Sequence, residues 1–202
     1  MEQFNPEWTD PIDKLIELGP QSLTREELLT ILIGTGYKGR TAQEIAKDFF
    51  DEFYSFYGLL GKKPADLSKI KGLKDEKIKR IEAAYEITKR IIKEKQWNLY
   101  VGKITLGLPD LSDAGLLAVL IGTGYKDKTP VDLAKELLKK YSSLGGIMGQ
   151  RLSDMAKIKG LGDVKVVRIA AAYGIMIRVT KVLEDYPPGE WAPWIKHKTP
   201  SK

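Results

Sequence analysis

The heptapeptide LIGTGYK occupies residues 32–38 and occurs again at residues 120–126. Two further pairs of identical segments are related by the same shift of 88 residues: KIKGL at 69–73 and 157–161, and AAY at 83–85 and 171–173. Three separated matches in one register predict a duplicated unit, and about 88 residues is the size of a small domain. We therefore divide the chain into three parts: unit one (1–98), unit two (99–184) and a C-terminal tail (185–202).

Composition limits the class of protein. The chain has 202 residues, of which 43% are hydrophobic and 30% are charged, as expected for a folded domain. It has no cysteine, and its single histidine is His197, so we expect no metal site and no cofactor. No apolar run is long enough to cross a bilayer and the N-terminus does not resemble a signal peptide, so we expect a cytoplasmic protein without a membrane partner.

Capping residues predict where the helices begin. In unit one, Thr-x-x-Glu capping boxes start at Thr24 and Thr41, and in unit two Ser112 and Thr129 take the matching positions. Further helices are predicted over 11–18, 75–95 and 163–183. No segment has a convincing strand pattern, whereas 99–106 is interpreted as a loop and a linker is expected near 95–102. The sequence therefore predicts an all-α fold of two helical units.

The first heptapeptide continues into Gly39 and spells Gly-x-Gly-x-x-Gly. A dinucleotide-binding loop needs a strand before its glycines, whereas a capped helix precedes these, and the second copy has Asp127 in place of Gly39. We interpret Gly-Thr-Gly as a turn between two helices. Two alternatives stay open: the loop is only a turn, or Gly122, Gly124 and Lys126 contact nucleic acid.

Residues 152–169, LSDMAKIKGLGDVKVVRI, have the pattern of a helix-hairpin-helix motif. Two glycines let the backbone approach a phosphate, and the N–H groups at the start of the next helix are unpaired donors. Backbone contacts of this kind carry no base information, so the predicted DNA binding is sequence-independent and salt-sensitive. The candidate DNA-binding residues are Lys159, Gly160, Leu161, Gly162, Lys165 and Arg168. The alternative that the hairpin only packs helices together stays open.

The corresponding hairpin of unit one lacks the second glycine. Its candidate residues are Lys71, Gly72, Lys74 and Lys77. Lys74 stands where unit two has Gly162, which predicts either a strained backbone or an altered hairpin at that point. Whether this copy touches DNA stays open.

Charge separates the two halves of the chain. Residues 1–98 hold 17 basic and 17 acidic residues, whereas residues 99–202 hold 16 basic and 10 acidic ones. The net charge of +6 therefore lies in the half that carries the intact hairpin. This coincidence favours unit two as the nucleic-acid-binding half.

Unit one, from Asp13 through the hairpin to Arg90, resembles the amino-terminal domain of RadC-family proteins, and residues 111–182 of unit two resemble it as well. That domain is a helix-hairpin-helix module, so the resemblance implies a DNA-associated helical domain in tandem, and the family name suggests DNA repair. RadC-family proteins usually continue into a JAB1/MPN metalloprotease-like domain with a His-x-His motif. Because His197 is the only histidine, we expect no such domain in this sequence.

Two other functions remain as alternatives. The first is a non-catalytic protein-interaction or oligomerisation module. Independently of that choice, three roles stay open for Trp191 and Trp194 of the tail: docking on the chain's own domain, covering a protein partner, or stacking on an unpaired base. The less favoured alternative is a DNA glycosylase-like enzyme, in which Lys165 and Asp185 form the lysine and aspartate pair. We expect no catalytic residues.

Overall fold

The computed structural model describes residues 10–59, 62–94 and 107–185. Over these ranges the protein is all-α, as predicted, and β-pairing is confined to two isolated bridges, Tyr37–Arg40 and Tyr125–Lys128. A 3-10 helix spans Phe56–Leu59. The α-helices are α1 (Pro11–Leu18), α2 (Arg25–Ile33), α3 (Ala42–Phe53), α4 (Pro64–Leu67), α5 (Asp75–Glu94), α6 (Asp113–Ile121), α7 (Pro130–Tyr141), α8 (Leu144–Ile147), α9 (Leu152–Ala156) and α10 (Asp163–Asp185). None of these helices is long and apolar enough to cross a membrane.

The predicted caps start the predicted helices. The Thr24 hydroxyl accepts a hydrogen bond from the Glu27 N–H at 3.1 Å, and the Glu27 carboxylate accepts one from the Thr24 N–H at 2.6 Å. Thr41 begins α3 with a second capping box of the same kind. In unit two, Ser112 caps α6 and Thr129 caps α7. A cap of this type stabilises a helix by about 1 kcal/mol.

The helices of the two units correspond under the shift of 88 residues. Helices α2 and α6 each have nine residues, and α3 and α7 each have twelve. The 3-10 helix of unit one corresponds to α8. The long helices α5 and α10 end at Glu94 and Asp185, close to their predicted ends. The duplication itself remains an inference from the sequence, and the linker, the interpreted loop at 99–106 and the tail beyond Asp185 lie outside the described residues.

The long helix of each unit packs on the other unit. Helix α10 contacts α1 and α2 of unit one, whereas α5 contacts α6 and α8 of unit two, and α5 and α10 contact each other. A single cluster of buried apolar side chains extends through both units. Because the units share a core, packing between them fixes their relative position.

Arginines near the ends of the long helices connect the units reciprocally. Arg90 of α5 donates to the carbonyl of Leu111 at 2.6 Å and pairs with Asp113 at 2.6 Å, at the start of α6. Arg178 of α10 donates to the carbonyl of Leu23, just before α2. Each long helix thus satisfies carbonyl groups at the helix entry of the opposite unit.

Candidate functional site

The two hairpins have the same backbone conformation around their first glycine. Gly72 has a φ of +102° and Gly160 a φ of +105°, which L-residues with a side chain rarely adopt. In unit two the Leu161 N–H donates to the Ile158 carbonyl at 2.9 Å, and unit one has the equivalent bond from Leu73 at 3.1 Å. Up to this point the two hairpins therefore have the same turn.

Packing explains the first glycine without any ligand. A Cβ on Gly160 would lie 2.7 Å from the Cβ of Tyr125, and one on Gly72 would lie 2.7 Å from Cδ1 of Ile45. Leu161, which the sequence also placed at the DNA, is 1% exposed and packs into the core. Packing alone therefore accounts for the glycines at 72 and 160 and for the leucine at 161, as the purely structural alternative requires. The Leu161 side chain is buried, so only the backbone of this residue can contact a partner.

The second glycine position of the hairpin, which is Gly162 in unit two and Lys74 in unit one, does not have the left-handed backbone that the sequence predicts. Gly162 is exposed, and a Cβ built on it meets no atom within 4 Å. Lys74, its counterpart, does not have a positive φ, and the Lys77 N–H donates to the Lys74 carbonyl at 2.9 Å, as the Lys165 N–H does to the Gly162 carbonyl. The prediction of a strained or altered hairpin at Lys74 was wrong, because this position needs no left-handed backbone. Gly162 leaves open space beside the start of α10.

The lysines that follow the hairpins hold the Gly-Thr-Gly turns. The Lys165 ammonium donates to the carbonyls of Gly124 at 3.0 Å and Gly160 at 2.8 Å, and Lys77 donates to the carbonyl of Gly36 at 3.1 Å. Burial, and then the charge of the neighbouring arginine, lower the pKa of both lysines. The sequence assigned Lys77 and Lys165 to an anion site, whereas the structure uses their ammonium groups to attach one loop to the next.

Backbone geometry explains the glycines of the Gly-Thr-Gly turn. Gly122 ends α6 with a φ of +79°, and its N–H donates to the Ala118 carbonyl at 2.8 Å. A Cβ on Gly124 would lie 2.2 Å from the carbonyl oxygen of Lys128. These contacts support the interpretation of a tight turn between helices. A nucleic-acid contact at Gly122 or Gly124 stays an untested prediction.

Four of the predicted basic site residues are exposed: Lys71, Lys74, Lys126 and Lys159. The Lys74 and Lys126 ammonium groups lie 5.6 Å from the ring centroids of Tyr37 and Tyr125, respectively. The positive charge excess of residues 99–202 does not lie only near the hairpin. Residues 107–185 hold 12 basic and 9 acidic residues, so half of the net +6 belongs to residues that the structure does not describe.

The starts of α5 and α10 border a common cleft of about 440 Å³. Its charged lining residues are Glu76, Lys79, Arg80, Lys165 and Arg168. The end of α6 closes the cleft with Ala118, Val119, Ile121, Gly122 and Thr123. Sequence analysis singled out Lys165 and Arg168 but placed neither Lys79 nor Arg80 in the site. The shift of 88 residues, which pairs Arg80 with Arg168, was the available signal.

Arg80 and Arg168 occupy equivalent positions but have different partners. Arg80 donates to the Ile33 carbonyl at the end of α2, at 3.0 Å. The Nε atom of Arg168 is buried and has no hydrogen-bond partner. Burial, followed by the charge of Arg80, lowers the pKa of Arg168. Arg168 is therefore a half-buried cation whose hydrogen-bonding capacity is not fully used.

The DNA glycosylase-like alternative requires Lys165 and Asp185 to lie close together, and the structure places them far apart. Lys165 and Asp185 lie on the same helix, twenty residues apart, so their Cα atoms are about 30 Å from each other. They cannot act on one reacting atom. Among the residues described here, no cluster of three His, Cys, Asp or Glu side chains has the arrangement of a metal site. His197, Trp191 and Trp194 lie outside them.

A second groove, of about 650 Å³, lies between α1 and the region from α8 to α10. Its lining is largely apolar and includes Leu15, Met155 and Tyr173. Ile16 and Leu18, also in the lining, are 44% and 56% exposed, respectively. The groove offers a surface for apolar contact and contains no cluster of basic residues.

Similar proteins place the chain in a family. A UPF0758 protein of Aliivibrio salmonicida is 42% identical over 90 residues, which cover 45% of this chain and 40% of the relative. A UPF0758 protein of Shewanella piezotolerans is 36% identical over 121 residues, covering 60% and 52%, and one of Staphylococcus epidermidis is 40% identical over 76 residues, covering 38% and 34%. The chain thus spans about half or less of the length of these relatives. No solved structure matches it significantly.

The model of one family, described as UPF0758 N-terminal, matches residues 4–79 and 104–167, well over half of the chain. These two ranges contain the helices before each hairpin and the hairpins themselves. The RadC-like resemblance is confirmed at this level, whereas the tandem duplication and the lack of a JAB1/MPN domain stay predictions. The chain belongs to the UPF0758 N-terminal family.

Proposed function

We propose that the protein binds DNA without sequence preference, through contacts to the phosphate backbone. The observation that carries the proposal is the exposed Gly162 at the start of α10, with open space where a side chain would stand. The first N–H groups of a helix lack intrahelical partners and point outward at its positive end, so they can donate to a phosphate oxygen. Lys159, exposed in the same hairpin, adds a positive charge.

Unit two is the better candidate because fewer acidic residues surround its helix start. Helix α5 begins with Asp75 and Glu76, whereas α10 begins with Asp163 and Val164. A carboxylate in the first turn already occupies the positive end of a helix and repels an approaching phosphate. Unit one compensates in part with Lys71 and Lys74, so it acts as a weaker second contact.

Fluorescence anisotropy with labelled duplex, single-stranded and branched DNA tests this function. Shuffling the base sequence should leave the affinity nearly unchanged. The logarithm of the binding constant should fall with the logarithm of salt concentration, with a slope of about −0.9 for each neutralised phosphate of a duplex. A salt-independent affinity, or a strong sequence preference, would refute the backbone mechanism.

A graded series at the hairpin tests the residue. Gly162→Ala and Gly162→Gln add a small and a larger uncharged side chain to a position that accepts either without strain. The glutamine variant should bind DNA at least about fivefold more weakly, the equivalent of one lost charged hydrogen bond of about 1 kcal/mol. Alanine should have a smaller effect, and the helical content should not change. Equal affinities across the series would remove Gly162 from the interface.

The apolar groove beside α1 favours a second candidate function, that of a protein-interaction module. Ile16 and Leu18 are large apolar side chains that lie exposed at this groove. A module of this kind would show no affinity for DNA even at low salt, where electrostatic binding is strongest. The same anisotropy titration therefore separates the two functions.

A further inference from the structure

We infer that the cleft between the starts of α5 and α10 is a binding site for a phosphate group, held between Arg80 and Arg168. The site borders the hairpin of unit two through Val164 and Lys165, but it does not require Gly162 to contact DNA. The phosphate belongs either to a nucleic-acid backbone or to a free phosphate compound. The chemistry at the site is the same in both cases.

The cleft is enriched in positive charge. Four cations line it, Lys79, Arg80, Lys165 and Arg168, against the single carboxylate of Glu76. That carboxylate lies 4.0 Å from Arg80, and its side chain is 90% exposed, so solvent screens its attraction strongly. An anion inside the cleft would neutralise charge that the protein leaves uncompensated.

The two guanidinium groups are close together. The position that a Cβ of Gly34 would take lies 3.4 Å from Nη1 of Arg80 and 3.5 Å from Nη2 of Arg168. Those two nitrogens are therefore no more than about 7 Å apart, which is the sum of the two distances. Two cations at this separation in a half-buried cleft repel each other, and an anion that contacts both removes the repulsion.

The Nη groups of Arg168 are available to such an anion, because neither donates a hydrogen bond to any of the described residues. Its Nε is buried without a hydrogen-bond partner, and none of the described carboxylates pairs with the residue. The equivalent Arg80 donates to the Ile33 carbonyl and pairs with Glu76. A guanidinium donates to phosphate in a bidentate manner, and a phosphate has enough oxygens to serve both arginines. A cleft of about 440 Å³ has room for the group.

The difference between the units supplies the test. Unit one has Glu76 four residues before Arg80, whereas unit two has Val164 four residues before Arg168. Val164→Glu places a carboxylate next to the unpaired arginine at a position that is 53% exposed. A glutamate in the first turn of a helix is favourable, so this variant should fold at least as stably as the parent. Glu76→Val makes the opposite change.

A matched control uses another helix. Val131 is the second residue of α7 and is 38% exposed, just as Val164 is the second residue of α10. Val131→Glu adds the same charge at the same helical position without lining the cleft. Calorimetric titration with inorganic phosphate, at constant ionic strength set by chloride, measures the anion, and anisotropy measures duplex DNA.

We expect Val164→Glu to weaken the binding of inorganic phosphate by about two- to fivefold, because a partly exposed carboxylate then competes for Arg168. Glu76→Val should tighten this binding, and Val131→Glu should leave it unchanged. If Val164→Glu weakens the binding of both inorganic phosphate and DNA, the phosphate is that of the nucleic acid. Weakened DNA binding with unchanged binding of inorganic phosphate would assign the effect to the helix start beside Gly162 and would overturn the cleft as the site. If only inorganic phosphate is affected, the site holds a free phosphate compound. The inference is overturned if Val164→Glu and Val131→Glu behave alike towards both ligands, or if the parent protein binds neither.

Discussion

Alanine substitutions at the two glycines of the second hairpin should differ strongly in their effect on the free energy of unfolding. Gly160 has a φ of +105°, where an alanine costs about 1–2 kcal/mol. Its new Cβ would also lie 2.7 Å from the Tyr125 Cβ and 3.0 Å from a methyl group of Leu133. Overpacking of this kind costs about 1–3 kcal/mol, so Gly160→Ala should destabilise the protein by about 2–5 kcal/mol.

Gly162→Ala should be nearly neutral. The position has open space and no positive φ, so the lower entropy of the unfolded chain stabilises the variant by about 0.4–1 kcal/mol. The Val166 N–H donates to the Gly162 carbonyl at 3.2 Å, which makes Gly162 the N-cap of α10. Alanine is a poorer N-cap than glycine, and this loss offsets most of the gain.

Urea denaturation followed by far-UV circular dichroism measures both effects. Thermal unfolding gives a second measure: for a chain of this length each kcal/mol of lost stability lowers the melting temperature by about 2–4 °C, so a loss of 3 kcal/mol corresponds to about 6–12 °C. Gly72→Ala should fall between the two variants, because its Cβ meets the flexible end of Ile45 at 2.7 Å and not a fixed Cβ. A Gly160→Ala protein as stable as Gly162→Ala would contradict the assignment of Gly160 to packing.

Substitutions at three further polar side chains, with one control, test what each contributes to stability. Arg178→Met should lower the free energy of unfolding by about 2–3 kcal/mol, since it removes the donor to the Leu23 carbonyl. A urea midpoint equal to that of the parent would show that this contact between the units contributes nothing to stability. Lys165→Met should cost about 1–2 kcal/mol in the same assay because two carbonyls lose their donor, whereas Lys159→Met, at an exposed site, should change little. Burial raises the pKa of Glu82 above 4.5, so the buried carboxylate destabilises the folded parent at pH 8 and the parent regains stability as it binds the proton at lower pH. Glu82→Ala should therefore stabilise the protein at pH 8 and progressively less towards pH 5, and a gain that does not depend on pH would exclude this cause.

The helices were predictable because their signals are local. Thr24 and Thr41 mark helix starts through residues only three positions away, and the repeat located the equivalent starts in unit two. Two of the shortest elements were missed. The 3-10 helix at Phe56–Leu59 and the four-residue α8 are too short to show a hydrophobic period.

The candidate site was less predictable, since it depends on which helices meet. The sequence gives Lys77 and Lys165 as lysines in a basic segment, and only the fold brings them to the carbonyls of the preceding turns. Arg80 and Arg168 have the same register. Their flanking residues differ, as at Glu76 and Val164, but no local signal shows that one arginine has a carbonyl partner and the other a buried Nε without one.

We still propose unit two as the better anion-binding half, but for another reason than total charge. Half of the positive excess lies outside the described residues, and unit one exposes Lys71 and Lys74 at its own hairpin. What distinguishes the units is the first turn of the long helix, where Glu76 of unit one is replaced by Val164 in unit two. The carboxylate partly neutralises one arginine of the shared cleft, and the valine leaves the other without compensation. An anion is therefore expected to bind closer to Arg168, because the unit with fewer carboxylates attracts it more strongly than the unit with more lysines.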